Sequence, residues 1–375
     1  MRFLLAFSFI ASLGWMRGQA IAIDSHIDTL QWVLNDNRDL AQRAKTGHVD
    51  FPRLREGQVN APFFALWVPT YYKGAEAVRR TLDLRDAMQR VLEAHPDQIE
   101  LALNASDVER ITKAGKIAAV LTVEGGHQID DDLAVLRVYY RLGIRSMTIT
   151  HFRNHNWADS STDKPSHNGL TDFGKEVIRE MNRLGMIVDI SHVSDKTFYD
   201  VLAVTSKPVI ASHSSCRAIS DVPRNMTDDM LRALAKNGGV VGINFGEGFL
   251  NPKDAELLKA TVNAISYHEP DLTGHALDEY SKKQFFEDAS KPRPSVGTID
   301  DAVAHIDHAV KVMGIDHVGI GSDFDGISSP PKGLEDISKM TALRAALRKK
   351  GYSEQDVRKI SGENTLRVLR EVTGK

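Results

Sequence analysis

Cysteine is all but missing from this chain: Cys216 stands alone among 375 residues, which excludes an internal disulfide and a thiolate metal cluster. Neither sign of charge dominates, with 47 Lys and Arg set against 50 Asp and Glu for a formal net charge of −3. That balance leaves no basic footprint for nucleic acid and points to small-molecule partners. Past the first twenty residues no apolar run approaches the roughly 20 residues that a spanning helix needs. Repeats, long blocks of like charge and low-complexity tracts are missing as well. What remains reads as a globular protein with 42% apolar residues, enough for a large core that has to supply the stability cross-links do not.

The first twenty residues stand apart. Met1-Arg2 leads into an apolar stretch over 3–14 and then into Gly18-Gln19-Ala20, the layout of a secretory signal peptide. Cleavage is expected after Ala20, since a cut after Ala22 would shorten the first strand-like run; an uncleaved anchor is the alternative. The C-terminal stretch 369–375 is polar and offers no tail for exchange with a lipid anchor. Residues 21–375 are therefore expected to form one catalytic domain, exported to a periplasm or secreted.

Six short apolar runs, 21–28, 117–124, 144–151, 186–192, 209–213 and 318–323, end on Asp28, Glu124, His151, His192, His213 and Asp323. Two more, 61–68 and 239–245, complete a series of eight. Segments with helical periodicity lie between them, at 75–94, 131–142, 173–184, 195–204 and 227–236. Gly115, Gly143, Gly185, Gly238 and Gly314 sit where those helices should stop. Strand and helix alternating eight times predict an α/β fold of parallel strands, most economically a (β/α)8 barrel. An open doubly wound sheet is the alternative, but it would gather ligands at one switch point and not on strands spread across the whole order. Residues 251–300 break the rhythm between the seventh and eighth runs and read as an insertion, either a lid, a subunit contact or a solvated excursion.

In parallel α/β folds the C-terminal strand ends form the active face, so the six endings describe ligands around one cleft. In Asp24-Ser25-His26-Ile27-Asp28 the residues two apart share a face of an extended chain, so His26 and Asp28 can grip one ion. Glu124 precedes Gly125-Gly126 and has two oxygens with which to bridge two ions. His192 and His213 close successive runs, and neutral imidazole is the commonest protein ligand for zinc. The set assembles as two ions, one on His26, Asp28 and Glu124, the other on Glu124, His192 and His213. Nitrogen and oxygen donors without thiolates favour zinc, with manganese and cobalt as fits. His151 and Asp323 are left over for an electrophilic donor and a proton carrier; a supporting role for His151 and a helix-capping one for Asp323 are the plainer readings. Gly319-Ile320-Gly321 lacks the third glycine of a dinucleotide fingerprint, Asp323 to Gly326 is too short for a calcium loop, and Cys216 and Ser214-Ser215 lack free catalytic partners.

These residues carry a resemblance. The blocks Ile23 to Asp28, Glu124-Gly125-Gly126, Asn156 to Asp159, Gly169 to Gly174, Met181 to His192, Ser212 to Ser215, Pro223-Arg224-Asn225 and Gly321 to Gly326 occur in the order of the membrane (renal) dipeptidases, the M19 metallopeptidases. The chain resembles that family from about residue 23 to residue 369. The resemblance implies a (β/α)8 barrel with two zinc ions bridged by Glu124, and hydrolysis of dipeptides through a metal-bridging hydroxide. It implies that His26 and Asp28 hold one zinc and His192 and His213 the other, that His151 polarises the scissile carbonyl, and that Asp323 moves the proton. Arg224 matches the family arginine that holds the substrate's terminal carboxylate, a task suited to the guanidinium fork. L-aminoacyl-L- and L-aminoacyl-D-amino acids are the expected substrates and a homodimer the expected assembly. Against the mammalian pattern, the single cysteine and missing anchor suggest a bacterial exported form, and Phe249 stands where some relatives carry Tyr. A lactone or cyclic-amide hydrolase on a binuclear barrel is the rival enzyme, although those open more often on His-x-His and bridge through lysine. A non-catalytic exported peptide-binding barrel is the rival outside enzymes.

Overall fold

The computed structural model describes residues 20–374 apart from 247, 257, 260, 261, 263–269 and 291–294. The expected signal peptide thus lies almost wholly outside the described residues. Among them no helix is long and apolar enough to cross a membrane.

Among the described residues eight strands are present: β1 Phe63–Trp67, β2 Ile99–Leu101, β3 Ile117–Glu124, β4 Ile144–Thr148, β5 Ile187–Asp189, β6 Ile210–Ser214, β7 Val240–Ile243 and β8 Val318–Ile320. All pairings are parallel, in the order β1-β3-β4-β5-β6-β7-β8, with β2 attached to the start of β3. The run 21–28 closes the curl between β8 and β1. Ser25 N donates to Ile320 O and Asp28 N to Phe324 O on one side, while Ile27 N donates to Phe63 O and Ala65 N to Ile27 O on the other. Its pairing to either neighbour is only a bridge at Ile27. The eight expected runs are therefore the eight staves of a (β/α)8 barrel, and β2 is an extra strand that no run announces.

Helices return the chain between staves as the periodicity requires, at Ala75–Ala94, Leu133–Arg141, Asp172–Leu184, Asp195–Val204 and Asp228–Lys236. Four start on a side chain that caps the first turn: Asp132, Thr171, Ser194 and Thr227 each accept from a main-chain N–H, which satisfies a donor the helix cannot. The five glycines expected at helix ends all take positive φ, between 81° and 94°, a conformation that costs glycine least. The closing helical stretch is broken: Glu354–Arg358 and Asn364–Thr373 are separate helices joined across a kink at Gly362.

Two apolar layers fix the barrel. The large one packs helices on the outer strand faces, with Leu121, Val123, Val188, Ala211 and Val241 against Leu84, Leu136, Val177, Phe198 and Leu231. The smaller gathers residues from the early parts of the staves, Ile23, Phe63, Ala118, Ile187, Ile210 and Val240, under Leu366, Leu369 and Val372 of the final helix. That plug closes the N-terminal end, so only the C-terminal end is open to chemistry. Within the 251–300 stretch, helix Gly274–Ala289 docks on the chain's own first helices. Tyr72 Oη and Arg79 Nη2 both donate to Asp278 Oδ1, at 3.0 and 2.8 Å, and Phe285 lies edge-on to Trp32.

Candidate active site

Parallel register puts Trp67 of β1 beside Glu124 of β3, Glu124 beside Thr148 of β4, and Thr148 beside Asp189 of β5. This level marks the floor of the cleft, and the predicted residues rise from it and from the loops just beyond. Glu124 stands in the middle. Its Oε2 lies 3.4 Å from His26 Nε2, while its Oε1 lies 3.1 Å from His192 Nε2 and 3.3 Å from His213 Nε2. Asp28 Oδ2 is 3.4 Å from His26 Nε2, and His151 Nε2 comes within 3.9 Å of Glu124 Oε1. The two oxygens of one carboxylate thus face two different sets of donors. The donor atoms of His26, Asp28 and Glu124, and those of Glu124, His192 and His213, each lie within 4.8 Å of one another. A third grouping, His26, His213 and Asp323, brings the remaining carboxylate to the same cleft.

These groups fit divalent ions better than they fit one another. His192 Nε2 and His213 Nε2 are 2.8 Å apart, and two neutral ring nitrogens can share at most one proton. Both nitrogens of His26, Asp28 Oδ1, and Nδ1 of His151 and of His192 are buried with no hydrogen-bond partner. Buried polar atoms are rarely left so, and convergent nitrogen and carboxylate donors without sulfur match zinc and its borderline neighbours.

Electrostatics separate the members. Burial works against a charge on His26, but the carboxylates of Glu124 and Asp28 outweigh it and hold the ring's pKa well above its usual value. Burial likewise works against the charge on Glu124, yet His26, His192 and His213 pull its pKa well below that of an ordinary carboxyl. Asp28 is pushed up to about 6 by burial, partly offset by His26 and reinforced by Glu124. His151 falls to about 4 through burial, aided by Arg224 and only partly resisted by Glu124. It is therefore a neutral N–H donor near pH 7. Asp323 is the least buried of the set; desolvation and then the charges of Asp28 and Glu124 push its pKa well above the carboxylate range. Asn244 Nδ2 donates to its Oδ2 at 3.0 Å and fixes its direction. A carboxyl with a raised pKa at the rim is suited to exchanging a proton, accepting one while ionised and returning it once protonated.

The local backbone is bent to present these side chains. His192 and Asp323 have φ of 70° and 64°, a left-handed conformation that costs a non-glycine residue about 1–3 kcal/mol and collects at functional sites. Gly326 is needed for a different reason: a Cβ there would run into Asp28 Oδ2 and Asp323 Oδ1. Asp159 is structural. It accepts from the main-chain N–H groups of Ser166, His167 and Gly169 and so pins the loop that follows His151.

Arg224 is 3% exposed and comes from a loop beyond the strand ends. Nη2 donates to His213 O at 3.1 Å, Nη1 reaches Ser214 Oγ at 3.4 Å, and Nε has no partner. Burial lowers its pKa to about 10, so it stays charged. Its guanidinium carbon lies 5.1 Å from the centre of the Phe249 ring, which packs with Phe152, Val222, Leu258 and Val262. Phe249 thus supplies an apolar wall where a tyrosine would supply a hydroxyl. Cys216 is buried, its thiol pushed up to about 12 by burial, and it bonds to His305 O, so it is no nucleophile.

Sequence reasoning missed Asp189 and Ser212. Asp189 accepts from Thr148 Oγ1 and Ser212 Oγ, and Ser212 Oγ lies 2.8 Å from His213 Nδ1. A usable signal was present, because a carboxylate inside an otherwise apolar strand must be fully hydrogen-bonded to be tolerated.

A family model described as membrane dipeptidase, peptidase family M19, matches residues 15–374. The chain belongs to this family. It is similar to the dipeptidase tcpJ of Claviceps purpurea, 37% identical over 90% of this chain and 72% of that one. Among solved structures it is similar to a metallo peptidase from Rhodobacter sphaeroides liganded with a phosphinate mimic of the dipeptide L-Ala-D-Ala, at 26% identity and a TM-score of 0.77 over 94% of this chain and 100% of that one. It is also similar to the probable dipeptidase PvdM from Pseudomonas aeruginosa, at 25% identity and a TM-score of 0.80 over 97% of this chain and 98% of that one. The M19 member described here is accordingly a dipeptide hydrolase of the metallopeptidase kind, which sets aside the non-catalytic barrel and the lactone or cyclic-amide hydrolase.

Proposed function

We propose that this dipeptidase works with two zinc ions, one held by His26, Asp28 and Glu124 and the other by Glu124, His192 and His213. The observation that carries the reading is Glu124, whose two oxygens face separate donor sets. When bound, such ions supply a water acidic enough to be nucleophilic near neutral pH and polarise a carbonyl oxygen.

The chain's own residues do the rest. Neutral His151 donates from its ring to the scissile carbonyl oxygen as negative charge develops there. Asp323, aimed by Asn244, takes the proton from the attacking water and gives it to the leaving amine. Arg224 pairs with the terminal carboxylate of the substrate, so a chain extended beyond the dipeptide would push its own main chain into a buried guanidinium. The wall of Phe249 and Phe152 beside Arg224 faces the C-terminal residue and offers apolar contact with no hydroxyl to select one stereoisomer. L-X-L-X and L-X-D-X dipeptides are the proposed substrates, consistent with the L-Ala-D-Ala mimic bound by the R. sphaeroides relative. Export after cleavage near Ala20 and assembly as a homodimer complete the proposal.

The test is a kinetic panel of L,L and L,D dipeptides, their C-terminal amides and tripeptides, with metal content measured on the same sample. Turnover of free dipeptides, weak turnover of amides and tripeptides, and zinc at two ions per chain are expected. Equal turnover of amides and free dipeptides would remove Arg224 from its role.

A further inference from the structure

We propose that Asp189, acting through Ser212, sets the tautomer of His213 so that its Nε2 lone pair is offered to the metal position shared with His192. This rests on the two-ion reading above and adds two positioning residues to it.

Asp189 ends β5 and is wholly buried. Its Oδ1 accepts from Ser191 N at 3.0 Å and Ser212 N at 2.9 Å. Its Oδ2 accepts from Thr148 Oγ1 at 2.6 Å and Ser212 Oγ at 2.5 Å. Four donors fill the four lone-pair directions of a carboxylate. Ser212 has one hydroxyl proton, and the short contact to an acceptor-only group commits it to Asp189. Toward His213 Nδ1, 2.8 Å away, Ser212 can then only accept. Nδ1 must carry the ring proton, so the lone pair of the neutral imidazole lies at Nε2. That atom faces Glu124 Oε1 at 3.3 Å and His192 Nε2 at 2.8 Å. Nδ1 of His26 and of His192 has no such partner, so the device serves one of the two positions.

The direction of the relay can be reversed by one atom. In Asp189→Asn the side-chain oxygen must stay on the main-chain N–H groups of Ser191 and Ser212, which puts the NH2 where Oδ2 was. It then donates to Ser212, whose proton is freed to point at His213 Nδ1. The ring proton is driven to Nε2, into the space a metal would occupy.

The experiment uses the full chain, stripped with a chelator and then titrated with Zn2+ or Co2+ alone. Long-range proton–nitrogen NMR on the metal-free chain reads the His213 tautomer independently. Expected are Nδ1–H in the wild type, Nε2–H in Asp189→Asn, and affinity for one of two ions weakened about 10- to 100-fold in that variant, the usual range for partners behind a ligand. Ser212→Ala, which leaves the ring free to choose, should lose less, and Ser212→Thr should restore wild-type binding. Thermal melts check folding; if Asp189→Asn does not fold, the Ser212 pair decides. Wild-type affinity in both Asp189→Asn and Ser212→Ala overturns the relay, as does Nε2–H in a wild type that binds two ions. A wild type that binds no ion yet shows Nδ1–H would instead overturn the metal reading, and with it the purpose given to the relay.

Discussion

The asparagines that brace the N-terminal end of the barrel and the ligand-type groups at its C-terminal end are buried equally deeply but differ in what satisfies them. At the N-terminal end, Asn60 accepts from Ala22 N and donates to Ala20 O, and Asn364 donates to Ile315 O and Val318 O. At the C-terminal end, His26, Asp28, His151 and His192 keep nitrogens and oxygens that nothing in the chain satisfies. Satisfied polar groups hold a fold together, whereas convergent unsatisfied ones describe the shape of what is meant to bind. Stability and chemistry are therefore separated along the barrel axis, and substitutions at the two ends should fail in different assays.

The largest effect should come from Asp323→Asn. Losing the proton carrier is expected to lower kcat by about 10²–10⁴-fold while two ions stay bound and the melting temperature does not fall. Wild-type turnover with metal retained would show that the rim carboxyl is not the shuttle.

The second contrast uses pH at a buried histidine away from the cleft. His305 accepts from Cys216 N at Nδ1 and donates to Leu250 O from Nε2, and burial lowers its pKa to about 4. The folded value lies below the ordinary one, so on acidification the unfolded chain takes up the proton first. The stabilisation from neutral His305 is complete above about pH 6.5 and is lost as pH falls through about 4. A shift of that size corresponds to about 3 kcal/mol. Urea titrations at pH 7 and pH 4, compared with His305→Gln, should show a smaller pH dependence in the variant; equal slopes would contradict the assignment.

Arg224→Met comes next. Removing one charge-assisted contact costs about 1.5–3 kcal/mol, so kcat/KM for free dipeptides should fall about 10- to 150-fold, with little change for dipeptide amides. Loss on both substrates alike would mean that Arg224 only supports the His213 carbonyl. The smallest effect belongs to the plugged end, where Asn364→Ala should cost about 1–3 kcal/mol of stability and leave kcat and metal content unchanged.

These contrasts also show what could be read from the residues alone. The staves were legible because each is a short apolar run buried on both faces, and the ligands were legible because they stand where those runs stop. β2 was not, since three residues pairing only with the start of β3 leave no periodic trace. The first stave was legible as a run, yet it pairs through a single bridge on each side, at Ile27. Arg224 carried no pattern of its own and entered only through resemblance, as a buried loop residue that lies over Phe249. Asp189 stood out as a carboxylate in an apolar strand, but what it and Ser212 do lies in hydrogen-bond direction, which spacing does not encode.

The measurement that bears most directly on the central claim is metal stoichiometry in wild type and Glu124→Gln. The amide cannot offer two anionic oxygens, so the account predicts two zinc ions per wild-type chain, at most one in the variant, and loss of dipeptide turnover with the lost ion. Two ions bound equally tightly by both chains, or none bound by the wild type, would contradict it.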